Sequence, residues 1–193
     1  MAFSRELGLA CFTAFSTLIL IIATGSNNWA GYSVNAGTYT SSFHLGLFVA
    51  CADIGGITGC GSLNGAGFND AGWIGACQFF AIIAILMAIF VTLVMFLQAG
   101  NVKVPIPIHE ARMVNILTGI LIAIDFCILL AFAIFAGKLT DNDPTGLFGF
   151  NWGFALMVIS LFFFGGITFG YFVVKRGAPT SSASTASPAT PAP

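Results

Sequence analysis

The chain has 193 residues, 58% of them hydrophobic and 7% charged, with 21 phenylalanines. A soluble domain carries about 25% charged residues, so this composition excludes a body that faces water on every side and calls for a lipid-facing surface. Six Lys and Arg stand against seven Asp and Glu. That balance leaves no basic patch for a nucleic acid, and the length suits one membrane domain.

Four stretches are long and apolar enough to span a bilayer: 7–23, 73–97, 114–136 and 152–174. At 1.5 Å rise per residue each covers roughly 25–37 Å, against a hydrocarbon core of about 30 Å. The first, beginning at Leu7 after Arg5, competes with a secretory signal. Its apolar run is longer than the roughly 7–15 residues of a signal core. Removing it would also split the basic residues across the membrane. With four spans, Arg5, Lys103, Arg112, Lys175 and Arg176 share one side and only Lys138 lies opposite. The positive-inside rule then predicts cytoplasmic termini and two extracellular loops, at 27–72 and 137–151.

The first loop is far longer than a helix connection needs, so a small folded unit is expected there. Runs such as Tyr32-Ser33-Val34 and His44–Ala50, punctuated by Gly55-Gly56 and Gly59, predict short antiparallel strands with tight turns. Pro105 and Pro107 exclude a continuous helix between the second and third spans. Residues 177–193 are almost all Pro, Ala, Ser and Thr, a composition that predicts a disordered cytoplasmic tail beyond a four-span domain at 1–176.

Two of the five cysteines, Cys51 and Cys60, lie in the first loop. An extracellular compartment favours their pairing, and Gly55-Gly56 near the midpoint lets the chain reverse between them. Such a loop of about ten residues is worth roughly 2.5–3 kcal/mol in the chain-entropy description. The alternatives are two free thiols or a metal site, for which His44 is the only nearby additional ligand. Cys11, Cys77 and Cys127 fall within spans, where buried apolar thiols are expected.

Trp29, then Gly46-Leu47-Phe48, then Cys51 and Cys60, in a chain with four spans and a long first loop, resembles the claudin family and its relatives. Those relatives are the epithelial membrane and peripheral myelin proteins and the calcium-channel gamma subunits. The family motif runs W, G-L-W, C, C, and here Phe48 stands in place of the second tryptophan. The family commonly has an arginine at the start of the second helix, whereas no basic residue lies between Trp29 and Lys103. The resemblance implies a membrane α-helical fold: a four-helix bundle bearing a disulfide-stapled extracellular β-sheet. It implies a plasma-membrane location at cell–cell junctions and a sheet that meets partners beside it or on a facing cell. In claudins, charges on that sheet line paracellular pores. Asp53 and Asp70 would then favour cations, although either aspartate also suits an ordinary turn.

Asp125 sits near the middle of the third span, where a charge is costly. A protonated, hydrogen-bonded side chain facing the first or fourth helix is expected. On this reading Asn115, Thr118, Ile122, Asp125 and Leu129 form a stripe that faces the bundle. Gly166 and Gly170 give a small-xxx-small spacing for close packing within the bundle. Trp73, Trp152 and Tyr171 suit interfacial anchors.

The sequence offers no phosphate loop and no nucleophile–base set for an enzyme, and it implies no cofactor. It offers no interrupted, polar helices for a transporter. Two roles remain. One is a junction component that forms or regulates a paracellular barrier or cation-favouring pore, self-associating beside itself in one membrane or across a cell contact. The other is an accessory, gamma-type subunit of an ion channel or receptor. Absence of an N-x-S/T sequon and the apolar stretch containing Phe148 and Phe150 favour the junctional role.

Overall fold

The computed structural model describes residues 2–37, 39–63, 72–100, 110–142 and 148–176. Asp70, the proline-bearing connection and the predicted tail lie outside the described residues. Four helices, α1 (Ala2–Gly25), α2 (Gly72–Ala99), α3 (Glu110–Asn142) and α4 (Trp152–Arg176), form a bundle. In it α1 packs on α2 and α4, and α3 packs on the same two neighbours. Each helix contains a stretch apolar and long enough to cross a membrane.

The buried residues recur every three or four positions. In α2 they are Ile74, Cys77, Ala81, Ala84, Ala88, Val91 and Met95. In α3 the same spacing gives Leu117, Leu121, Ile124, Ile128, Ala131 and Phe135. This 3.5-residue period is that of knobs-into-holes packing in a left-handed bundle. The alanines of α2 let the larger side chains of α3 approach closely, as membrane helices require when lipid is as apolar as leucine. Hydroxyls add polar contacts within the bundle: Thr17 Oγ1 and Thr92 Oγ1 lie 3.1 Å apart.

A five-stranded antiparallel sheet caps one end of the bundle. Its strands are β1 (Ala30–Ala36), β2 (Tyr39–Leu45), β3 (Val49–Ile54), β4 (Ile57–Ser62) and β5 (Gly149–Phe150), in the order β4-β3-β2-β1-β5. The β3–β4 hairpin turns at Gly55 and Gly56, with φ of 62° and 86°. Two successive positive φ values make the two-residue turn that matches strand twist. Ala30, Leu45 and Ala50 stand opposite one another in register and are buried.

Several sequence expectations need correction. The run His44–Ala50 is not one strand but the end of β2, a turn and the start of β3. Gly46 lies against the Ser26 carbonyl and Asn27 Cα, leaving no space for a side chain and bending the chain there. Helix α3 continues to Asn142, where a loop had been expected from 137. Thr140 donates back to the Ala136 carbonyl at 2.8 Å, and Lys138 pairs with Asp141 at 3.2 Å. At 33 residues α3 is about 50 Å long, more than a bilayer core needs.

The stripe through Asn115, Ile122 and Leu129 is exposed rather than facing the bundle. The expected stripe followed the polar residues Asn115, Thr118 and Asp125, but helix packing in lipid is set by shape, and the inward face is the neighbouring apolar stripe through Leu121, Ile124 and Ile128. Gly165 and Gly166 have open space around them, and only Gly170 meets another helix, at Leu9. Tyr171 is a core residue, not a lipid-facing anchor, and Cys11 is exposed.

Gly153 marks the closest approach of α4 to the start of the sheet: a Cβ there would lie 2.7 Å from both the Asn28 carbonyl and Ser26 Oγ. Gly153→Ala is expected to destabilise the fold by about 1–3 kcal/mol through overpacking. Gly166→Ala, in open space within a helix, is expected to be neutral or to stabilise by up to about 1 kcal/mol. Thermal unfolding in detergent, followed by size-exclusion chromatography, checks both.

Candidate functional site

The sheet and its attachment to the bundle form the most elaborated part of the molecule, and they are organised around Trp29. Helix α1 ends at Gly25, leaving its last carbonyls without helical partners. The Trp29 indole Nε1 donates to the Ala23 carbonyl at 2.6 Å, and Ser26 N reaches the same oxygen at 3.4 Å. Ser26 Oγ in turn accepts from Asn28 N at 3.0 Å, turning the chain toward β1. The Trp29 backbone joins two more elements. Its N–H donates to the Leu45 carbonyl at 2.8 Å, and its carbonyl accepts from Asn151 N at 3.0 Å. The ring is fully buried, edge-on to Phe135 of α3 at 5.0 Å and to Phe154 of α4 at 6.2 Å.

The other motif residues hold the far side of the sheet. Gly46 N closes the turn on the Val49 carbonyl at 2.9 Å. Leu47 is fully buried, and its carbonyl accepts from Gln78 Nε2 of α2 at 2.7 Å. Phe48 is exposed. Cys51 and Cys60 form a disulfide between directly paired positions of β3 and β4. Cys51 is buried and receives Asn27 Nδ2 on its sulfur at 3.3 Å. His44 stands opposite Cys51 in β2, with its Nδ1 buried and unpartnered.

Asp53 is the only Asp, Glu, Lys or Arg of β1 to β5. Its two oxygens are both engaged in the hairpin, accepting from Gly56 N at 3.2 Å and from Thr58 Oγ1 at 2.8 Å. On either side of the turn Ile54 and Ile57, paired with each other, are 66% and 78% exposed. Phe148 packs edge-on against Tyr32 at 4.9 Å and near Phe43 at 6.1 Å, on the sheet itself. Phe150 is half exposed and stacks on Phe154 at 4.3 Å. Within the membrane, Asp125 Oδ2 lies 3.1 Å from Thr168 Oγ1 of α4.

Sequence reasoning named Trp29, the Gly46–Phe48 turn and the cysteines but missed their partners. Gln78 supplies a contact from α2 to the sheet in a region with no arginine, and Asn27 and Asn151 link the strand starts to the bundle. Gln78 carried a usable signal, being the only amide side chain in the apolar run 73–97. The asparagines carried none, because a polar residue beside a helix end is ordinary. No group of three or more His, Cys, Asp or Glu able to hold a metal occurs among the described residues.

Four apolar helices capped by a disulfide-stapled antiparallel sheet define a claudin-like four-span membrane fold. The chain matches the PMP-22/EMP/MP20/Claudin family over residues 5–169 and belongs to that family. A search among curated proteins finds no match.

Replacing Gln78 with Leu leaves the Leu47 carbonyl without its donor, at an expected cost of about 1–3 kcal/mol. Replacing both Cys51 and Cys60 with Ser is expected to cost roughly 2.5–3 kcal/mol by releasing the hairpin in the unfolded chain. Thermal midpoints of the purified variants, with and without reductant, check both; reductant is expected to lower the wild-type midpoint and leave the double variant unchanged.

Proposed function

We propose that this protein is a claudin-like, non-enzymatic component of cell–cell junctions in the plasma membrane. Its sheet lies outside the cell, both termini lie in the cytoplasm, and the protein forms or regulates a paracellular barrier or cation-favouring pore. The observation that carries this reading is the sheet. It is fixed to the bundle at one end by Trp29 and Gln78 and presents at its hairpin an exposed apolar pair, Ile54 and Ile57, next to the acidic Asp53. Such a surface suits contact with other copies of the chain, and its charge disfavours anions. The excess of Lys and Arg on the side opposite the sheet supports the orientation. The charge of Asp70 would add to that of Asp53 on the same loop.

The hydrogen bonds at Asp53 make it a usable probe. In Asp53→Asn the side-chain oxygen still accepts from Gly56 N, and the amide donates to Thr58 Oγ1, so the turn is kept while the charge is lost. Tagged protein in contact-forming cells without tight junctions is expected to concentrate where both neighbours express it. Dilution potentials across an epithelial layer are expected to show a cation preference that Asp53→Asn reduces. Uniform surface staining with unchanged paracellular conductance would instead support an accessory subunit of an ion channel or receptor.

A further inference from the structure

We propose that Asp125 is carried in the membrane as an uncharged carboxylic acid whose proton joins α3 to α4, and that it is a modification site for lipid-soluble carbodiimides. The inference is independent of the junctional role. Thr168 Oγ1 lies within hydrogen-bond distance of two oxygens, the Phe164 carbonyl at 2.9 Å and Asp125 Oδ2 at 3.1 Å. A hydroxyl has one proton. A shared proton would divide its strength between the two oxygens; each contact is a full hydrogen bond when Thr168 donates to Phe164 and a protonated Asp125 Oδ2 donates to Thr168. The surroundings agree, since Asp125 is the only Asp, Glu, Lys, Arg or His in the four apolar runs and no cation is available to pair with a carboxylate there. Its other oxygen, Oδ1, is buried without a partner. A neutral acid tolerates that more readily than an ion does. Cys127 and Tyr171, the other titratable groups of α3 and α4 at membrane depth, supply no positive charge.

The side chain is only partly buried, and its neighbours Ile122, Phe126 and Leu129 are exposed on the lipid side of α3. Oδ1 is buried while the Oδ2–Thr168 contact is only part-buried, so an apolar carbodiimide dissolved in the bilayer approaches the acid at Oδ2. The acid proton moves to one carbodiimide nitrogen and the carboxylate oxygen bonds to the central carbon. The resulting O-acylisourea rearranges to an N-acylurea by an oxygen-to-nitrogen acyl shift. The adduct retains every atom of the reagent, with no leaving group and no change of oxidation state. Carboxylates in water are ionised at neutral pH and lack the proton the first step needs.

The test uses the full chain in liposomes at neutral pH. Infrared spectroscopy is expected to show a carboxylic-acid C=O band that is absent in Asp125→Asn and shifts to higher frequency in Thr168→Val, where the acceptor is lost. Dicyclohexylcarbodiimide is expected to add its full mass to the peptide containing Asp125 and not to that peptide in Asp125→Asn. Asp125→Asn keeps the same hydrogen-bond pattern, its amide donating to Thr168, so the variant remains folded. Absence of the acid band in the wild type overturns the proton assignment, and the band without an adduct overturns the modification site.

Discussion

The attachment of the sheet depends on one buried side chain. Trp29 caps the carbonyl end of α1 through its indole, pairs with β2 and with the start of α4 through its backbone, and fills the space between Phe135 and Phe154 with its ring. Each contact alone is a modest contribution of about 1 kcal/mol net. Their concentration in one rigid residue fixes where β1 begins, and antiparallel register then carries that position outward through β2 and β3 to the disulfide. The close packing of Gly46 on Ser26 and of Gly153 on Asn28 follows from the same placement, because both bring backbone against the short segment between α1 and Trp29.

Below the sheet the physics changes. Lipid offers the helices no solvent to escape from, so the bundle is held by shape and by a few polar contacts. The three-and-four spacing of Ala81, Ala84 and Ala88 in α2 against Leu121, Ile124 and Ile128 in α3 is such a shape match. The Thr17–Thr92 and Asp125–Thr168 contacts add direction where apolar packing alone allows sliding. Helix α3 runs on past the apolar core to Asn142, and β5 pairs with β1 at the edge of the sheet.

Much of this was readable from the residues, for identifiable reasons. The four spans follow from length and composition because bilayer thickness is a hard constraint. The hairpin follows from Gly55-Gly56 because two positive φ values are nearly a glycine property. The inward faces of the helices were not readable by hydrophobicity, and the stripe through Ile122 and Leu129 was placed on the wrong side. The informative pattern was the spacing of small residues in α2. Phe148 belongs to an apolar stretch that favoured a contact role, yet it packs on Tyr32, a contact between positions 116 residues apart that no local pattern encodes. Gln78 and the asparagines at the sheet base were missed because their partners are backbone groups or distant side chains, set only once the sheet is docked.

The central claim is that Trp29 holds the sheet to the bundle, and amide hydrogen exchange of the full chain in nanodiscs tests it most directly. Trp29→Phe keeps most of the ring volume and removes the indole donor. The account predicts faster exchange throughout β1 and β2 in this variant, with α2 and α3 unchanged. Equal protection of β1 and β2 in the variant and the wild type would contradict it.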